Sequence, residues 1–245
     1  MIKVKKIAVY GDSLALPRKG VVKYNERYFF LIQEWLKNNF IIDYIEVKDR
    51  AKGASTITEI LKKYEHDAGY YDLPGDIVIF QVGIVDCAPR PINDTRRNRI
   101  DRLPNWIKKI AIKYLHNNRS KIIQNGKFYV KTDKELFKIT IKKILTKAII
   151  DYTNVYVINI CPTNKKTEIH SPGFTKNINE YNDIIYKSIQ ETGKTNVHLI
   201  DIYTYINDRC EAIDDYIVPE DGHHITSHTH RLIADIIIEN EMKCN

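Results

Sequence analysis

Apolar residues along this chain come in two rhythms. Short, mostly apolar runs at Ile7 to Tyr10, Ile41 to Val47, Ile77 to Phe80, Val155 to Ile160 and Val197 to Ile200 end at turn or polar residues. Such runs read as strands, and the nearly continuous Ile77-to-Phe80 run has the pattern of a strand covered on both faces. Between them lie longer stretches with helical spacing. Phe29, Phe30, Ile32, Trp35 and Leu36 mark a helix over Asn25 to Asn39, and Ser55 or Thr56 opens another that reaches Tyr64. Further helices are predicted near Trp106 to Leu115, from Asp133 to Tyr152 (through Leu136, Ile139, Ile144, Leu145 and Ile149), from Asn177 to Glu191, and from Thr226 to Glu239. Strands alternating with helices predict an α/β protein with a parallel sheet covered on both sides.

The length, 245 residues with 43% hydrophobic and 28% charged, suits one domain with a full core, carrying a basic, partly helical insertion at about 88–132. No apolar run approaches a membrane span. Lys3, Lys5 and Lys6 precede an apolar run too short for a signal peptide. Cys87, Cys161, Cys210 and Cys244 are scattered and form no CxxC pair, so neither a metal site nor a disulfide framework is expected, and a reducing cytoplasm fits. Nothing in the sequence calls for a cofactor, and it carries no signal for oligomeric state.

The net charge of +7 owes much to Arg90 through Lys121, where Arg96, Arg97, Arg99, Arg102, Lys108, Lys109, Lys113 and Arg119 meet only Asp94 and Asp101. Such a run is often just a solvated face. It would also suit an anionic sugar, a phosphorylated carrier or peripheral contact with a membrane surface. A nucleic-acid partner is not expected, because no zinc-finger, RNP or KH pattern is present.

The chemistry sits in the loops after the strands. Gly11-Asp12-Ser13 ends the first, and a hydroxyl just past the carboxyl end of a strand is where open α/β sheets place reactive groups. By itself the pair Asp12 and Ser13 reads more readily as a turn or helix cap. The other end of the chain changes that reading. A nucleophilic serine needs a base, and the base an orienting acid. Asp221 and His224 stand three apart in Asp221-Gly222-His223-His224, close enough for the carboxylate to reach the imidazole Nδ1 and leave Nε2 for Ser13.

With Gly53 and with Gly83-Ile84-Val85-Asp86, these segments form four blocks in order, and the chain resembles the SGNH, or GDSL-type, hydrolase superfamily from Lys6 to about Glu239. The resemblance implies a three-layer α/β/α fold with a five-stranded parallel sheet, flavodoxin-like in arrangement. It implies Ser13 as nucleophile, His224 as general base, Asp221 as its orienter, and oxyanion donors from the Ser13 and Gly53 amides. The third block departs from the family pattern, with Val85 where the family has a donating asparagine. Arg90, after the stiffening Pro89, is the candidate substitute, and Asn93 the second. Asp12, Asp86, Arg90 and Asn93 are the candidate substrate contacts.

The form Gly-Ile-Val-Asp-Cys-Ala-Pro-Arg at 83–90 is similar to SGNH-like proteins of bacterial surface-polysaccharide gene clusters. That similarity implies an acylated carbohydrate as substrate, with acetyl the commonest acyl group. The expected activity is a serine esterase. An O-acyltransferase with the same acyl-serine intermediate is the alternative, since the triad is common to both and only the acceptor differs. A degenerate glycan-binding fold is a third reading, resting on Val85 alone.

Overall fold

The computed structural model describes residues 3–70, 74–126, 128–209 and 213–244, so that Cys210 and the insertion's Lys127 lie outside the described residues, as does the side chain of Cys244. Five parallel strands form one sheet in the order β2-β1-β3-β4-β5. They are β1 (Val4–Gly11), β2 (Tyr44–Asp49), β3 (Gly75–Gln81), β4 (Tyr152–Ile158) and β5 (Val197–Ile200). In β3, Ile77, Val78, Ile79 and Phe80 are all within 1% of full burial. Side chains of this kind stabilise a fold by about 1.5–3 kcal/mol each when fully buried.

The principal helices are α1 (Tyr28–Asn39), α2 (Ile57–Tyr70), α7 (Lys134–Asp151), α9 (Phe174–Gln190) and α12 (Ser227–Cys244). Helix α1 packs on α12, while α2 and α9 both pack on α7, which gives a helical layer on each side of the sheet. None of the described helices is long and apolar enough to cross a membrane.

Between β3 and α7 the chain adds α3 (Ile84–Cys87), α4 (Asp94–Asp101), α5 (Asn105–Asn117) and α6 (Arg119–Gln124) and no strand of the sheet. Shorter helices α8 (Lys165–His170), α10 (Ile202–Asn207) and α11 (Ile213–Tyr216) decorate the carboxyl-terminal half. Apart from α5, these short helices are absent from the periodicity reading, because one or two turns carry too few apolar positions to set a period.

Two boundaries move for identifiable reasons. The second strand starts at Tyr44 rather than Ile41, since Val4 of β1 registers with Tyr44 and Ile41 is 91% exposed. The first helix starts at Tyr28, because the wholly buried Arg27 is extended and its guanidinium holds Asp49 Oδ2 (2.8 Å) and the Ala15 carbonyl (3.3 Å). That guanidinium ties the end of β2 to the loop after β1.

The chain passes from β1 outward to β2 and then back across to β3 on the other side. This reversal opens a crevice at the carboxyl ends of β1 and β3, the usual ligand position in an open α/β sheet.

Candidate active site

Gly11 closes β1 in register with Gln81 of β3, and a Cβ there would lie 3.0 Å from that of Ala15. The chain therefore turns tightly into a short helical turn, Ser13–Ala15. Asp12 caps that turn, its Oδ1 accepting from Leu14 N at 2.9 Å. This lifts Ser13 out of the sheet and into a cleft of about 1130 Å³ whose walls include Gly53, Val85, Arg90, Arg119, His170 and His224.

The loop from Val218 to His224 brings the far end of the chain to the same place. Gly222 has φ +70, and a Cβ there would fall 2.1 Å from Asn164 Oδ1 and from Thr167 Oγ1, so this position needs glycine. Asn164 N bonds to the Gly222 carbonyl (3.0 Å), and the Thr167 hydroxyl to that of Asp221 (3.1 Å), so the start of α8 braces the loop. Within it, Asp221 Oδ1 accepts from the amides of His223 (3.1 Å) and His224 (3.0 Å), and Oδ2 lies 3.1 Å from His224 Nδ1. His224 Nε2 is 3.1 Å from Ser13 Oγ. His223 turns its Nδ1 back to the Asp221 carbonyl at 2.9 Å and is not the residue on Ser13.

The electrostatics suit a base. Burial pulls the His224 imidazole down to about 4, with the neighbouring His223 and Arg18 pulling the same way against Asp221. The ring is thus neutral at neutral pH and free to take a proton. Burial alone would raise the Asp221 carboxyl, but the two backbone amides and the two imidazoles outweigh it and hold the group below its ordinary value. The Asp221, His223 and His224 donor atoms lie within 4.8 Å of one another, a spacing a metal ion could span. Both nitrogens of His224 are nevertheless already engaged, with Asp221 and with Ser13.

On the oxyanion side, Lys52 N bonds to Gly11 O (3.0 Å), and the turn that follows puts Ala54 at φ 60. Gly53 lies in that turn and on the cleft wall, and among the described residues neither its amide nor that of Ser13 has a hydrogen-bond acceptor. Backbone amides without an acceptor are the kind of donor a developing oxyanion needs. Val85 lies on the cleft wall in α3, only 8% exposed, and offers no side-chain donor.

Three expected substrate contacts are corrected. Asp12 and Asp86 are wholly buried and are not part of the cleft wall. Asp86 instead accepts from Ile57 N (3.1 Å) and from the Thr132 hydroxyl, anchoring the start of α2 and the exit of the insertion. Burial raises both carboxyls, Asp12 to about 7 and Asp86 to about 6. Asn93 lies outside the cleft wall and caps α4, accepting from Arg96 N at 2.9 Å. Arg90 does line the cleft, with Nη2 3.4 Å from the Val85 carbonyl and Nε buried without a partner.

The sequence reading missed Arg18, which bonds to Asp221, and Arg119, His116 and His170 of the cleft wall. Only the density of cations in the insertion hinted at Arg119.

No family model matches the chain, and no curated protein matches it. Solved structures do. A lipase/acylhydrolase from Enterococcus faecalis superposes with a TM-score of 0.63 at 13% identity, over 96% of this chain and 94% of that one. A variant of Axe2, an acetyl xylan esterase from Geobacillus stearothermophilus, gives 0.61 at 12% identity, over 95% and 93%. A member of the lipolytic G-D-S-L family from Veillonella parvula gives 0.58 at 14%, over 96% and 97%.

Proposed function

Since the chain has the fold of the GDSL-type, or SGNH, hydrolases, we propose that it is a serine esterase that removes an acyl group, an acetyl above all, from a carbohydrate. The observation that carries the reading is the unbroken contact chain Ser13–His224–Asp221, at 3.1 Å for each step between side chains. Ser13 Oγ attacks the ester carbonyl while His224 Nε2 takes its proton. The Ser13 and Gly53 amides hold the oxyanion. Collapse expels the sugar alkoxide, which takes the proton back from His224 and leaves an acyl-Ser13. Water, deprotonated by the same imidazole, then releases the acid and the free serine.

Carbohydrate as the alcohol is supported by the acetyl xylan esterase among the similar folds and by the basic residues Arg90, Arg119 and Lys166 of the cleft wall. The Gly83-to-Arg90 segment favours a place in bacterial surface-polysaccharide metabolism. The buried, unpaired Cys87 and Cys161 agree with a reducing, cytoplasmic setting.

Exposure to 4-nitrophenyl acetate followed by mass spectrometry tests the proposal. An acetyl adduct should form on Ser13, turn over in water, and be absent in Ser13→Ala. Unchanged ester hydrolysis by Ser13→Ala would overturn it. Transfer of the acetyl to a sugar faster than to water would change the class from esterase to acyltransferase.

A further inference from the structure

Two arginines on the cleft wall, Arg90 and Arg119, have no carboxylate within ion-pair distance among the described residues. Arg90, Arg119 and His116 each line both the main cleft and a smaller cavity of about 200 Å³, which Asp94 and Arg97 also line. Arg119 is held by neutral oxygens, with Nε on Ser171 Oγ at 2.7 Å and Nη2 on the Pro89 carbonyl. Arg90 has only the long contact to the Val85 carbonyl and an unpartnered, buried Nε. Among the described residues neither forms an ion pair. Asp94 and Asp86 favour the Arg90 charge from longer range, but their own bonds go elsewhere. Asp94 pairs with Lys131 (3.1 Å), and Asp86 accepts from Ile57 N (3.1 Å) and Thr132.

Two imidazoles complete the wall, His116 and His170, with ring centroids 5.0 Å apart. Burial, then Arg119 and His116, lower the His170 imidazole below its usual range. Burial likewise lowers Arg119, and Arg90 adds to it. Half-buried like charges without a counter-ion are unfavourable unless something else supplies the negative charge. Among the described residues the carboxylates on the cleft wall are Glu220 and Asp221, in the loop that carries His224.

We infer that the Arg90–Arg119 wall, with His116 and His170, is an anion subsite that holds a carboxylate or phosphate group carried by the acylated glycan. The planar guanidiniums supply forked donors that match either oxyanion, and the imidazoles add donors at its edge. The glycan identity of the ligand rests on the esterase reading. The anion-binding property does not, and it can be measured without catalysis.

The experiment uses the Ser13→Ala protein and calorimetric titration with glucuronic acid, glucose 6-phosphate and glucose. At least one of the two anionic sugars should bind about tenfold or more tighter than glucose, the scale of one charge-assisted hydrogen bond. Which one does so distinguishes a uronate-bearing glycan from a phosphorylated one. Introducing Arg119→Gln should remove that preference. Because Arg119 also braces Pro89 and Ser171, a second measurement keeps the arginine in place. The His170 imidazole, followed by NMR titration, should move to higher pKa when the anionic sugar is added and stay put with glucose. Equal affinity for charged and neutral sugars, a preference that survives Arg119→Gln, or an unmoved His170 would overturn the assignment. Failure to acylate Ser13 would sink the esterase reading and leave these binding results standing.

Discussion

Arg18 and His224 share one oxygen: the Arg18 guanidinium donates to Asp221 Oδ2, the same atom that lies 3.1 Å from His224 Nδ1. The carboxylate therefore orients the imidazole while its charge is divided with a second cation. Arg18 also acts on His224 directly, as one of the charges that lower it. Arg18→Gln should raise the His224 pKa, by no more than about one unit for a single screened charge. The acid limb of kcat/KM then moves to higher pH. An unmoved limb would show that Arg18 only holds the loop.

In the intact protein that limb should lie unusually low. Protonated His224 cannot accept the Ser13 proton, so activity falls as pH drops through its folded pKa. With that value drawn down to about 4, kcat/KM should stay level well below the range in which an ordinary histidine titrates. A limb near 6.5, the unperturbed value, would mean that the cleft is wetter and less electropositive than its geometry implies.

Asp221→Asn keeps the shape of the loop but loses the tautomer control and the charge behind His224. By the serine-protease template, kcat should fall about 10⁴-fold with little change in KM. A loss below about tenfold would assign Asp221 to loop architecture alone.

Gly222→Ala tests the brace. The φ of +70 and the 2.1 Å approach to Asn164 and Thr167 leave no room for a methyl group. Stability should fall by more than about 1 kcal/mol, and kcat should fall with it as His224 leaves Ser13. A thermal melt and a single-turnover assay read the two effects separately.

Val85→Asn would place an amide where the family has one. If the two backbone amides alone hold the oxyanion, kcat on a neutral acetyl ester should rise, since one such donor is worth about 10²-fold or more in other hydrolases. If kcat stays level, Arg90 already fills the role, and Arg90→Ala would then lower kcat rather than raise KM for the anionic glycan.

Asp12→Asn makes a stability prediction with a definite sign. The native carboxyl holds its proton up to about 7, while the ordinary value is 3.8. Between those limits the native state binds more protons than the unfolded chain, so the contribution of Asp12 to stability declines as pH rises from about 4 to about 7. Asparagine keeps an acceptor for Leu14 N and has no charge to bury. The melting temperature of the variant relative to the parent should therefore climb across that window and level off above it. A constant difference would mean that water reaches Asp12.

What the sequence determined by itself was local or linear. Apolar spacing is a property of neighbouring residues, so the strand cores and long helices were legible, and the order of strand and helix implied a parallel sheet. The blocks at Gly11-to-Ser13 and Asp221-to-His224 were legible because each sets particular residues at short spacing, while Gly53, a lone glycine, came only from the family resemblance. Tertiary structure decided the rest. Ser13 and His224 are 211 positions apart, and only the crossing from β1 to β3 and the α8 brace bring them to 3.1 Å. Asp12 and Asp86 were candidate substrate contacts because each stands in one of the loop blocks that follow the strands. The fold instead buries them as acceptors for backbone amides, Leu14 and Ile57. Arg18, Arg119 and His170 leave no periodic trace, since a side chain that works through a partner distant in sequence is defined by that partner and not by its own neighbours.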